Sequence, residues 1–123
     1  MLKILGRDTS SNVMKVLWAC VELGLEFDRD DIGGKHGGND APDFLAMNPN
    51  GLVPVIIDDG FVNWESNACV RYLAAKHDPG GLYPDDLQVR AVAERWMDWQ
   101  VTTVSPAMTP VFRGLVRTAP EDR

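Results

Sequence analysis

The chain has 123 residues, 45% hydrophobic and 24% charged, a composition that suits one globular protein with a modest core. Its formal net charge of -6, with no local basic patch, makes nucleic acid or an anionic membrane surface an unfavourable partner. No apolar run approaches the roughly 18 residues of a membrane span, and the opening MLKILG is too weakly apolar for the core of a signal peptide, so a cytoplasmic protein is expected.

LKIL, residues 2 to 5, reads as a short strand, and GRDTSSN supplies the turn and capping residues that end a strand and start a helix. Val13, Val16, Leu17, Cys20 and Leu23 then recur at three- and four-residue steps, one apolar stripe on a helix of about three turns. Gly24 is placed for the left-handed position after that helix, with Leu25 folding back on Cys20 in a Schellman stop. LEFDRDDI, residues 25 to 32, alternates in polarity and predicts a half-buried second strand, parallel to the first through a right-handed crossover.

GGKHGGNDAP, residues 33 to 42, holds four glycines and little that packs, which predicts a flexible surface loop before a short helix at DFLAM. VPVII and FVNW flank DDG, whose Asp-Gly step signals a hairpin, although Pro54 inside the first run donates no ladder hydrogen bond. In ESNACVRYLAAKH, residues 65 to 77, Cys69, Val70, Leu73 and Ala74 line one helix side, with Lys76 and His77 at the end that suits cations. DPGGLYPDD, residues 78 to 86, reads as a linker, and Asp85 or Asp86 is placed to cap a further helix. That helix carries Val89, Val92, Ala93, Trp96, Trp99 and Gln100 on one face; Pro106 and Pro110 are expected to interrupt or kink it before VFRGLVR continues it. Cys20 and Cys69 fall on apolar helix sides in no CxxC or metal-ligand spacing, so two reduced core thiols and no metal site are expected.

MNPNGLVPVIIDDG followed by VNWESNACVRYLA resembles the glutathione-site half of the cytosolic glutathione transferases, and GRDTSSNVMKVLWACVELGL resembles their first helix. The resemblance implies an α/β fold: a thioredoxin-like βαβαββα domain over residues 1–78, a linker over 79–86, and the start of an all-α C-terminal domain over 87–123. Family members run longer, so the chain looks truncated in its helical part. The apolar face after the linker is then expected to be buried in a homodimer, a swapped partner or another chain, since left open it would drive aggregation.

The resemblance also implies a site. The proline after the strand-starting valine is cis in this family, which would turn the main-chain N–H and C=O of Val53, before Pro54, toward an extended peptide that pairs as an added strand. Ser66 would take the γ-glutamyl carboxylate of glutathione and Glu65 would lie near its ammonium; by itself the pair reads as a helix start with a first-turn acid. Many members carry a Lys or Gln where Leu52 stands and, near Asn39, a His that helps hold the glycine carboxylate; this chain departs from both, with His36 as a substitute and Arg7 as a second candidate contact beside plain surface roles. Ser10 matches the serine or threonine that donates to the glutathione sulfur in theta-like, phi-like and nu-like classes and so favours the nucleophilic thiolate. Asn12 matches an asparagine near the sulfur in some bacterial members, and Ser11 stands one residue out of register; taken alone, all three residues read as helix caps. No cysteine occupies this turn, which argues against a thioredoxin or glutaredoxin with its own sulfur nucleophile. Trp96 and Trp99 read better as core residues than as a second-substrate pocket.

The activity so implied is conjugation of glutathione, as co-substrate, to a small hydrophobic electrophile, a detoxification reaction. Two alternatives stand beside it: a non-catalytic glutathione-binding or dimerisation module, and a nu-like glutathione-dependent disulfide reductase or peroxidase, for which Asn12 speaks.

Overall fold

Period-two alternation in two apolar strands builds the sheet. In the computed structural model, which describes residues 1–123, β1 (Leu2–Leu5) lies between β2 (Asp28–Asp30) and β3 (Val55–Asp58), and β4 (Phe61–Trp64) closes the order β2-β1-β3-β4. β1 runs parallel to β2 and antiparallel to β3, which pairs antiparallel with β4. Ile4 faces Ile56 in the ladder and Leu5 faces Val55. Successive side chains point to opposite faces, so Leu2, Ile4 and Ile56 enter one core cluster while Leu5, Val55 and Ile57 enter the other.

On the first face lie α1 (Ser11–Glu22) and α3 (Ser66–His77), which supply Val13, Val16, Cys20, Cys69 and Leu73 to the core. On the second face α2 (Pro42–Met47) supplies Phe44 and Met47. This is the thioredoxin-like arrangement. Cys20 and Cys69 are free and fully buried, and burial pushes their thiols up to about 11 and about 12, which keeps both protonated and unreactive.

Local chemistry sets the element ends. The Gly24 N–H donates to Val21 O and the Leu25 N–H to Cys20 O, the two bonds of a Schellman motif, with Gly24 at φ 65°. That stop and the approach after it use residues 25 to 27, so β2 is three residues long rather than spanning 25 to 32. The Asp59-Gly60 hairpin has positive φ at both residues, 48° and 89°, as a primed two-residue turn requires. β3 begins at Val55, so Pro54 precedes the ladder instead of lying within it, and the missing N–H costs the sheet nothing. The glycine-rich stretch is not wholly irregular: Gly34–His36 form a 3-10 turn, and α2 begins at Pro42, where proline at the first helical position is well placed.

The chain divides into two compact units, Met1–Tyr83 and Pro84–Arg123. The second is a helical path: α4 (Leu87–Trp99), a π-helical turn Gln100–Val104, α5 (Ser105–Phe112) and a second π-helical turn Arg113–Arg117. Asp86, rather than Asp85, caps α4 by accepting from the Gln88 and Val89 N–H groups. A π turn interrupts the α pattern immediately before α5 and shifts the hydrogen-bond register where Pro106 has no donor, while Pro110 lies inside α5 and the helical path continues past it. Trp96 and Trp99, expected to pack in a core, are exposed and meet edge to face with centroids 5.4 Å apart.

A polar cluster ties the hairpin to α3. The Tyr72 hydroxyl and the Lys76 ammonium donate to Asp58 Oδ2 at 2.5 Å and 2.6 Å. The Lys76 bond, then the Tyr72 bond, holds the Asp58 carboxyl below its ordinary range. A depressed folded-state value means the stabilisation is complete above the unfolded carboxyl's titration near pH 4 and is lost as pH falls through the lower folded value. Asp58→Ala is expected to cost about 1 to 2 kcal/mol at neutral pH. Urea unfolding at pH 7 and pH 3 checks it: the gap between parent and variant should narrow in acid.

Candidate functional site

Three chain segments meet where β1 ends. Gly6, at φ 154°, leads out of β1 so close to α1 and the loop before β3 that an added Cβ would stand 2.4 Å from Val13 Cγ2 and 3.2 Å from Val53 Cβ. Arg7 lies over the other side of this junction: a Cβ on Gly33 or Gly34 would stand 3.0 Å or 2.9 Å from its side chain. Val53 is half-buried, Pro54 is buried, and the peptide between them is cis. Neither the N–H nor the C=O of Val53 takes part in the chain's own hydrogen bonds. Asn48, 2% exposed, holds the approach to it by donating from Nδ2 to Leu52 O at 2.8 Å and accepting the Asn50 N–H at 3.0 Å.

Ser10 is the N-cap of α1. Its Oγ accepts the Val13 N–H at 3.3 Å, and the residue is 7% exposed. A hydroxyl that accepts one bond still has its own hydrogen to give. Asn12, in the first turn of α1, accepts from Ser66 Oγ at 3.5 Å, which joins the N-termini of α1 and α3. Ser66 is 6% exposed and is the first residue of α3; Glu65 is its N-cap position but makes no side-chain capping bond. Glu65 has φ 72°, a conformation that L residues rarely adopt and that costs on the order of 1 kcal/mol or more. It directs the chain from β4 into α3 with the first turn free of acidic side chains.

The remaining predicted residues divide. Ser11 is exposed at the start of α1 with no hydroxyl bond to the others. Asn39 donates from Nδ2 to Gly51 O at 2.9 Å and so braces the loop before Val53. Leu52 is 64% exposed beside Val53. His36 lies 3.9 Å from Asp31, in a chain of charges that includes Arg29 and Asp8.

Sequence reasoning missed Asn48, Lys15 and Asn67. The Lys15 Nζ donates to Asn67 Oδ1 at 2.8 Å across the α1–α3 seam. Burial holds the Lys15 ammonium below the ordinary lysine range, and the Glu65 charge pulls it back up. A lysine three residues after Asn12 lies on the same helix side, a signal that could have found it. No group of three or more His, Cys, Asp or Glu is placed to hold a metal ion, and no helix is long and apolar enough to cross a membrane.

The sheet order and the helices on its faces define a thioredoxin-like domain, with polar side chains gathered at the N-termini of α1 and α3. Comparison with known proteins carries this further. The family model for the glutathione S-transferase N-terminal domain matches residues 9–76, and the chain belongs to the glutathione S-transferase family. It is 49% identical over 125 aligned positions to glutathione S-transferase GstB of Escherichia coli, covering all of this chain and 60% of that protein. A probable glutathione S-transferase GSTF2 of Oryza sativa is 32% identical, with 94% of this chain and 54% of that one covered. Among solved structures, the theta class glutathione S-transferase of Xanthomonas axonopodis pv. citri with glutathione bound superposes with a TM-score of 0.94 at 46% identity, over 99% of this chain and 58% of that one. The chain thus spans about three fifths of the length of such relatives.

Proposed function

We propose that the first unit binds glutathione and that the protein conjugates its thiolate to a small hydrophobic electrophile. Two observations carry this reading: the pairing of Ser66 with Asn12 at 3.5 Å, which joins the N-termini of α1 and α3, and Val53, whose main-chain polar atoms the fold leaves unengaged. An extended tripeptide pairs with such a main-chain edge, and a carboxylate suits the N–H groups and positive dipole end of α3. Bound glutathione in the similar citrus canker enzyme supports the assignment.

In this reading Val53 and Pro54 receive the cysteinyl residue, and Ser66 and Glu65 receive the γ-glutamyl end. Asn39 shapes the loop at the glycine end beside Leu52, with Arg7 and His36 as neighbouring cations or donors. Ser10 donates a hydrogen bond from its hydroxyl to the sulfur. The thiol's own proton leaves to solvent, and the thiolate held by that bond forms a carbon–sulfur bond as the electrophile's leaving group departs. Asn12 is tied to the γ-glutamyl side by its Ser66 bond, and Ser11 is kept as the lesser candidate.

Residues 1–78 are the proposed glutathione-binding domain, 79–86 the linker, and 87–123 the start of a helical domain. Two free buried thiols support a reducing, cytoplasmic setting. The exposed Leu87, Val92, Trp96 and Met108 support a homodimer as cover. Calorimetric titration with glutathione, followed by assays with chlorodinitrobenzene and with hydroxyethyl disulfide, tests the function. Binding and conjugation sustain it; binding alone indicates a non-catalytic module, disulfide turnover alone a reductase, and no binding refutes the site.

A further inference from the structure

Arg29 takes no part in the roles assigned above, yet it ties together the two loops that leave β1 and β2. Parallel pairing sets it beside Ile4, two residues before Gly6. From there its Nη1 donates to Gly6 O at 3.1 Å and to Asp31 Oδ1 at 2.5 Å, and its Nη2 lies 3.6 Å from Asp8 Oδ2. The side chain is half-buried, and its planar fork suits several acceptors held at once. The β1–β2 pairing has main-chain bonds of its own here, from the Gly6 N–H to Asp30 O at 3.0 Å and from the Arg7 N–H to Ile32 O at 2.9 Å. The turn that follows is less firmly closed. Its bond from the Ser10 N–H to Arg7 O is 3.3 Å, longer than an ordinary amide bond. Gly6, at the root of that turn, packs so near Val53 that an added Cβ would stand 3.2 Å from Val53 Cβ. Holding Gly6 and Asp8 therefore sets the spacing between Ser10 and Val53. The loop before Val53 is braced separately, by Asn48 on Leu52 O and Asn39 on Gly51 O, so Arg29 acts on the Ser10 side of that spacing.

We propose that Arg29 is a positioning residue for the donor to the sulfur: by clamping Gly6 and Asp8 to the end of β2, it sets where Ser10 stands relative to Val53. The proposal rests on the reading of Ser10 as that donor and does not require Arg29 to touch the ligand. Without the guanidinium between them the Asp8 and Asp31 carboxylates repel, Gly6 O loses a donor, and the turn is free to shift. The Ser10 hydroxyl then meets the sulfur at a poorer length and angle, and a hydrogen bond weakens steeply with both.

The test uses the full chain and four forms of it: parent, Arg29→Met, Ser10→Ala and the double variant, with circular dichroism to follow folding. Thiolate absorbance against pH gives the pKa of bound glutathione, and calorimetric titration with S-methylglutathione, which has no thiol, reads the peptide's dock alone. Arg29→Met is expected to raise the bound thiol's pKa by about half a unit to one unit, part of the effect of losing the bond outright. S-methylglutathione affinity should stay within about twofold of the parent. In the Ser10→Ala background, Arg29→Met should add less than about 0.2 units, because the bond it positions is already gone. Should Arg29→Met not fold, Arg29→Lys keeps the charge without the fork, and the same comparison applies with a smaller rise. An unchanged pKa in the Arg29 variant overturns the role of Arg29 alone. So does a rise of equal size in both backgrounds, which marks a direct effect of the lost charge, or a loss of S-methylglutathione affinity beyond about fivefold, which marks general damage to the site. If Ser10→Ala itself leaves the pKa where it was, the Ser10 reading falls and this proposal with it.

Discussion

Ser66→Ala is expected to weaken glutathione binding by about tenfold to a hundredfold, the value of one hydrogen bond to a carboxylate at roughly 1.5 to 3 kcal/mol. The substitution is a clean one. Ser66 stands at the first helical position, not the cap, and alanine is at least as good a helix former there. Asn12, its partner at 3.5 Å, is exposed, so water replaces the lost donor without leaving a buried group unsatisfied. Stability should therefore hold while affinity falls, and calorimetric titration beside thermal unfolding reads both. The pKa of the bound thiol should not move, because the γ-glutamyl end is remote from the sulfur. Equal affinity in parent and variant would remove Ser66 from the site.

Ser10→Ala should give the opposite pattern in binding and a double effect elsewhere. Its Oγ accepts the Val13 N–H, so losing it removes an N-cap at about 1 kcal/mol of stability. Its hydroxyl hydrogen, in the proposed mechanism, donates to the thiolate. Removing a bond of that type is expected to raise the bound thiol's pKa by about one to two units, since one unit corresponds to about 1.36 kcal/mol. The sign follows from which form the donor favours. A donor stabilises the anion, so without it ionisation needs higher pH. Conjugation near neutrality should drop about tenfold or more, and the two rate profiles should converge in alkali. Ultraviolet absorbance of the thiolate against pH measures the shift, and Ser10→Thr should restore both cap and pKa. A stability loss with no pKa change would reduce Ser10 to a capping residue.

Elements whose signals are local were legible in the sequence. The Schellman stop at Gly24, the primed turn at Asp59 and Gly60, and the apolar sides of α1 and α3 each follow from residues within a few positions of one another. The thioredoxin-like order came from these elements and from the resemblance together. Where tertiary context decides, the reading went astray. Alternating polarity in residues 25 to 32 resembled a long strand, but the chain still has to leave the helix stop before it can join the ladder. Two prolines promised an interruption or a kink; a π turn does interrupt the α pattern just before Pro106, while α5 runs on through Pro110. Trp96 and Trp99 promised a core, and both are exposed here.

In the site, the contact between Ser66 and Asn12 spans 54 positions and that between Lys15 and Asn67 spans 52. No periodicity within one helix encodes such pairings, since they depend on how α1 and α3 lie side by side. Asn39 shows the reverse: a residue noted for a ligand is engaged by Gly51 O in bracing its own loop.

The backbone of Glu65 sets two selective pressures against each other. At φ 72° a glycine would sit without strain, and relief should outweigh the added freedom of the unfolded chain by up to about 1 kcal/mol. A randomised library sorted only for heat resistance should accordingly drift toward glycine at position 65. One sorted for growth in the presence of a toxic electrophile should retain the acid, so the two enrichments at a single codon would separate what the fold prefers from what the chemistry demands.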